Sequence, residues 1–164
     1  MKLENLKKLY VHQLKDLYSA ETQVLKALPK MAEAADDEDL ADAFRQHEKQ
    51  TRTHVSRLEK IFQDLDFEPG GHHCKGAEGL IAEGSDMIGE EADPHVRDAG
   101  LIASAQRFEH YEMAGYGCAR AYAEKLGETA AAEILTQTIE EEGETDRLLS
   151  RLAERSLNFE ALVA

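Results

Sequence analysis

Glu21, His47, His54, Glu112 and Glu142 bear side chains that can ligate a cation or move a proton, and each falls within an apolar helical repeat. A helix turns about 100° per residue, so phase shows which polar groups point inward. With Glu112 at zero, Leu101 and Ala119 fall at about -20°, Ala105 at about 20°, Phe108 at about -40° and Tyr116 at about 40°. Glu109 stands about 60° away, at the stripe's edge, and His110 points to the opposite side. Around Glu21, Leu14 and Leu28 lie within about 20° and Leu17 and Leu25 within about 40°. Glu142 lies between Leu135, Ile139 and Leu149, with Asp146 one turn on. His47 and His54 lie among Leu40, Phe44, Leu58 and Leu65, with Gln50 at the edge.

A bare carboxylate in a core costs several kcal/mol or takes up a proton. Several acids at one level would also repel one another. A divalent metal pair bound by carboxylates and imidazoles removes both penalties, and helical bundles hold such pairs. Depth supports one level. Glu21 is 14 residues before Ala35 and Gln50 is 15 after it; Glu112 and Glu142 are each 15 residues from Gly127. Glu21, Gln50 and His54, with separations of 29 and 4, thus parallel Glu112, Glu142 and Asp146, with 30 and 4. The candidate metal ligands are Glu21, His47, Gln50, His54, Glu109, Glu112, Glu142 and Asp146.

The elements that must position them are helices. Apolar residues recur at helical spacing over about 3–33, with Pro29 a possible kink, and over about 38–65 after Asp36 or Asp37 as N-cap. Pro69, Gly70 and Gly71 break structure, and a short glycine-weakened helix follows in the connection. Asp93-Pro94 starts a third long helix that ends at Gly127, and a fourth spans about 129–156. No segment alternates as a strand does. The expectation is an all-α, antiparallel four-helix bundle in one domain over 1–164. It has two helical hairpins (about 3–65 and 94–156) and a long crossover (about 66–93) with a short fifth helix.

The chain has 164 residues, 42% of them hydrophobic, enough for a real core. Its formal net charge of -14 excludes nucleic acid and an anionic membrane surface as expected partners. No apolar run approaches the ~20 residues needed for a membrane span, and the N-terminus lacks a signal core, so the expected location is cytoplasmic. Cys74 and Cys118 make no disulfide framework. His72-His73-Cys74 lacks the paired spacing of a zinc site and reads as loop, and Cys118 has no base beside it in the pattern. There is no phosphate loop, dinucleotide fingerprint or nucleophile elbow.

Five motifs together resemble the ferritin-like superfamily, and more closely its YciE/YciF branch of bacterial stress-response proteins. They are LKDLYSAETQVLKALPKMAEAA, HEKQTRTHVSRLEKIF, CKGAEGLIAEG, VRDAGLIASAQRFEHYEMAGYG and IEEEGETDRLLSRLAE, and they cover nearly the whole chain. The resemblance implies a ferritin-like bundle, often a homodimer, with a di-metal carboxylate centre usually taken as di-iron. It implies ligands Glu21 from the first helix, His47 and the Gln50 position from the second, Glu109 and Glu112 from the third, and Glu142 with Asp146 from the fourth.

Two features depart from that pattern. Gln50 stands where the family more usually has Glu, with His54 one turn on to compensate, and no hairpin carries a Glu-x-x-His pair. The expected cofactor is two divalent ions, iron first, manganese or zinc next, and the redox partner is open. The expected function is reduction of peroxide or dioxygen, with Tyr18, Tyr111 and Tyr116 as candidate relays. The alternative is a non-enzymatic ferritin-like scaffold with a degenerate site; storage in a shell has no support in the sequence.

Overall fold

The computed structural model describes residues 2–164. Four long helices form two hairpins. α1 (Leu6–Ala34) pairs with α2 (Glu38–Asp64), and α4 (Pro94–Leu126) pairs with α5 (Thr129–Leu152). α1 also packs on α4, and α2 on α5, which closes the bundle. α3 (Lys75–Gly89) lies in the crossover and packs on α1 and α4. No strand occurs among the described residues.

The helix ends follow the local chemistry. Asn5 caps α1 by accepting from Lys8 N at 2.9 Å, and Asp37, not Asp36, caps α2 by accepting from Leu40 N at 2.9 Å. Pro94 occupies the first turn of α4, where its missing N–H costs nothing. Gly127 ends α4 at φ 78°, a left-handed conformation that a side chain would resist. Pro29 does not end α1, which continues to Ala34. The last helix differs from expectation. α5 stops at Leu152, a π-helical turn spans Ala153–Leu157, and α6 (Asn158–Val163) carries the chain on past 156.

The apolar stripes fill two separate clusters. One includes Val24, Leu28, Phe44, Leu101, Phe108 and Leu149; the other includes Tyr10, Leu14, Leu17, Leu58, Ile61, Tyr116 and Leu135. Glu21, His47, His54, Glu112 and Glu142 come from sequence positions between the two sets, so a polar layer divides the core. Gly115 lets α4 approach α1 there; a Cβ on it would meet Leu17 Cδ2 at 2.9 Å.

One buried acid serves the fold. Asp98 of α4 is fully buried and accepts from Asp36 N at 2.9 Å and Asp37 N at 2.8 Å. It ties the α1–α2 turn to the second hairpin. Burial raises its pKa, and the two N–H bonds partly offset that. Replacing Asp98 with Ala leaves both turn N–H groups without their acceptor and should cost about 2 kcal/mol in denaturant unfolding, whereas Asp98→Asn, which keeps one oxygen, should cost about half as much.

Candidate metal centre

The polar layer holds two groups of side chains close enough to share an ion. His47, Glu109, Glu112 and Glu142 form one, and Glu21, His54 and Glu142 form the other; in each, the ligand atoms lie within 4.8 Å of one another. All six residues are buried. His47 Nε2 lies 3.1 Å from Glu109 Oε1 and 3.9 Å from Glu142 Oε2. His54 Nδ1 lies 2.9 Å from Glu142 Oε1 and 3.4 Å from Glu21 Oε1. Glu142 therefore offers one oxygen to each group, the arrangement of a bridging carboxylate.

Each imidazole is held from behind. Glu141 Oε2 meets His54 Nε2 at 2.9 Å and is itself clamped by Arg57 through contacts of 2.5 and 2.9 Å. An ionised Glu141 accepts a hydrogen bond from Nε2–H and so keeps the proton on that nitrogen, which leaves the Nδ1 lone pair of the neutral ring facing the cluster. Burial pushes Glu141 up, but Arg57 and His54 outweigh it and hold it down at about 2. Thr145 Oγ1 lies 3.3 Å from His47 Nδ1, so His47 presents Nε2 inward. Tyr116 donates to Glu21 Oε1 and fixes that carboxylate.

A metal ion fits these residues. Both oxygens of Glu112 and of Glu142, one each of Glu21 and Glu109, His47 Nε2 and His54 Nδ1 are buried with no hydrogen-bond partner. The close approaches at His47 and His54 thus lack hydrogen-bond alignment. Such a concentration of unpaired buried acceptors is costly unless an ion or protons satisfy it. Without an ion, protons must do so. Burial, then the neighbouring charges of Glu21 and Glu142, pushes Glu112 well up. Burial likewise raises Glu21, Glu142 and Glu109, the last to about 8. Burial opposes a charge on His54, yet Glu142 and Glu21 push its pKa up to about 11.

Two expected ligands are not brought to these groups. Gln50 is half-buried and turns toward α5, with Oε1 3.5 Å from Thr145 Oγ1. Asp146 turns toward α4, where Gln106 Nε2 donates to it at 3.0 Å and His110 Nε2 lies 3.3 Å away. The reason is phase. On α5, residues before Glu142 in angle (Glu141, Thr145) face α2, and Asp146, about 40° to the other side, faces α4. The parallel of Gln50 with Glu142, and of His54 with Asp146, therefore does not extend to the side chains. His110 is exposed, as its phase requires. Of the three tyrosines, Tyr116 alone touches the six; Tyr18 bonds Glu59 at 3.1 Å, and Tyr111 bonds Asp16 at 2.9 Å.

His72-His73-Cys74 is divided as well. His72 meets Asp16 at 2.8 Å, exposed His73 meets Glu78 at 3.2 Å, and Cys74 is buried, with Sγ 3.2 Å from Asp16 and 2.9 Å from the Tyr111 hydroxyl.

Residues 5–162 match the family described as a domain of unknown function, DUF892. The chain belongs to that family. It is 38% identical over 162 residues to Protein YciF of Escherichia coli strain K12, covering 98% of each chain. Its fold matches the crystal structure of the E. coli stress protein YciF with a TM-score of 0.91, over 94% of this chain and 98% of that one. YcfI of Rhodopseudomonas palustris, described as a candidate structural protein, matches with a TM-score of 0.88 at 39% identity, over 91% of this chain and 95% of that one.

Glu141 and Thr145 escaped the sequence reading because neither lies at the centre of a stripe. The available signal was Arg57, a cation one turn from His54 on a face that must meet α5, which calls for an acid opposite.

Two outcomes follow. Glu141→Gln frees the His54 tautomer and should weaken divalent-metal affinity about 10- to 100-fold, read by titration with Co(II) or Fe(II). In metal-free protein Glu109 holds its proton to about 8, while the unfolded chain releases it near 4.5. The folded state then binds more protons, and stability falls as pH rises through that window, by up to ~1.4 kcal/mol per pH unit for one group. The melting temperature of chelator-treated protein should drop between about pH 5 and about pH 8, Glu109→Gln should flatten the slope, and a bound divalent ion should reverse it, because ligation requires ionised carboxylates.

Proposed function

We propose that this chain is a di-iron carboxylate protein of the bacterial stress response that reduces peroxide or dioxygen. The observation that carries the reading is the charge balance of the polar layer. Four buried carboxylates and two imidazoles converge with no Lys or Arg among them, and Glu142 belongs to both groups. Two divalent cations would neutralise four carboxylates. Iron suits the mixed imidazole and carboxylate donors, with manganese and zinc as competitors. Bound iron would supply one electron per ion to a two-electron oxidant.

The chain's own residues have distinct tasks. Glu142 spans the two positions, and Glu112 has both oxygens free to bind or shift. Glu141 and Thr145 orient the imidazoles, and Tyr116 holds Glu21 and has a proton to donate there. A polar opening of about 410 Å³ between α2 and α5, lined by Gln46, Gln50, Thr145 and Arg147, reaches His47 and suits entry of a small polar oxidant. The stress setting rests on the likeness to E. coli YciF. A cytoplasmic location suits the two free cysteines, and no helix is long and apolar enough to cross a membrane. A homodimer suits the exposed Phe159, Leu162 and Val163 of α6.

A second reading has its own support. With Glu109 pushed up to about 8, a metal-free bundle can keep acids protonated at neutral pH and serve as a scaffold. Anaerobic loading separates the two. The di-iron reading expects roughly two Fe(II) per chain, oxidised by about one equivalent of peroxide, and at most about one Fe(II) in Glu142→Gln. It expects Glu112→Gln to lose the stabilisation that metal confers. Binding below about 0.2 iron per chain, with Glu112→Gln as stable as the parent or more so, rejects it in favour of the scaffold.

A further inference from the structure

A second opening has no role in that chemistry. Between α1, α3 and α4 lies a cavity of about 250 Å³. Its walls include Val24 and Leu28 from α1, Leu80, Ile81 and Ile88 from α3, and Phe108 from α4. Glu109 also lines it, and this residue, 2% exposed, belongs to the candidate metal centre and has Oε2 without a hydrogen-bond partner. The cavity thus reaches from solvent to the polar layer on the side opposite the opening at His47.

The rim carries the other signal. Exposed Lys26 and Lys30, one helical turn apart on α1, border the cavity, and neither has an acid within 4.0 Å among the described residues. Glu78, also at the rim, is engaged by His73 at 3.2 Å. Two uncommitted cations above an apolar shaft, in a chain of formal charge -14, complement an amphipath with an anionic head. Since an apolar cavity of ~150 Å³ holds benzene, this one has room for a single chain of roughly eight to ten carbons. The buried Glu109 carboxylate disfavours an anionic head at the inner end, so the tail must enter first.

We propose that this cavity binds one medium-chain carboxylate, with its head on Lys26 and Lys30 and its tail against the Glu109 side of the metal centre. The inference deepens the function proposed above and rests on it only for the events at Glu109.

The test is calorimetric titration of metal-free protein with hexanoate, octanoate, decanoate and tetradecanoate, and with 1-octanol. Affinity should rise about fourfold per methylene up to the length that fills the cavity and then stop rising. Lys26→Glu with Lys30→Glu should weaken octanoate about tenfold and leave 1-octanol unchanged. Ala27 is half-buried and lines the cavity, so Ala27→Phe should abolish binding. Gly84→Ala, whose new Cβ meets only Ser104 Cβ at 3.7 Å, is the conservative variant and should weaken binding a few-fold without disturbing the fold.

No saturable binding, affinity that keeps rising through tetradecanoate, or full binding in folded Ala27→Phe would overturn the proposal. Because Glu109 borders both sites, a tail that excludes water beside it should shift the Fe(II) binding midpoint, and Fe(II) should shift octanoate affinity by the same factor; an unmoved midpoint overturns the placement of the tail. A protein that shows the chain-length cut-off but takes up no iron keeps the cavity assignment and loses the di-iron function; one that loads iron but binds no carboxylate does the reverse.

Discussion

Four carboxylates buried at one level of a helical bundle set the constraint on which the rest of this structure depends. Glu21, Glu109, Glu112 and Glu142 lie between two apolar clusters, with no basic side chain other than two imidazoles to meet them. Either protons or cations must occupy the layer. Burial and mutual repulsion raise all four acids, so in the absence of an ion protonation is the available answer. A pair of divalent ions is the other, and it turns an unfavourable layer into one that holds the four helices together.

The surrounding structure limits the freedom of that layer. The Arg57–Glu141 pair orients His54, and Thr145 lies behind His47, so each imidazole offers the cluster one defined nitrogen. Asp98 locks the α1–α2 turn onto α4 at one end of the bundle. Gly115 lets α1 and α4 close beside Glu21 and Glu112. The two openings differ in character: that at His47 is polar and that at Glu109 apolar, which separates the approaches of polar and apolar molecules.

Much of this was legible in the residue order. The helical phase of Leu14, Leu17 and Leu28 around Glu21, and of Leu101, Phe108 and Tyr116 around Glu112, is a local property, and it placed both acids correctly within the core. Asp93-Pro94 and Gly127 marked the ends of α4 for equally local reasons. Gln50 and Asp146 were harder, because each stands about 40–60° from a stripe centre, where inward and sideways are close in angle. Glu109 has the same offset on α4 and does join the group. Phase alone could not separate these three, since the outcome depends on which neighbouring helix the offset side faces.

The sequence by itself determined the four long helices, the ends of α4 at Asp93-Pro94 and Gly127, and the burial of one ionisable group or more on each long helix, because 3.6-residue periodicity and capping act over a few residues. Only the tertiary structure decided which of those groups meet. It joined Glu142 to both His47 and His54, turned Asp146 to Gln106 and Gln50 to Thr145, and set Glu141 behind His54. These partners lie 40 to 95 residues apart, and their meeting depends on the rotation of each helix about its own axis once all four have packed. That rotation is settled by the sum of contacts across the bundle rather than by any one stretch of chain.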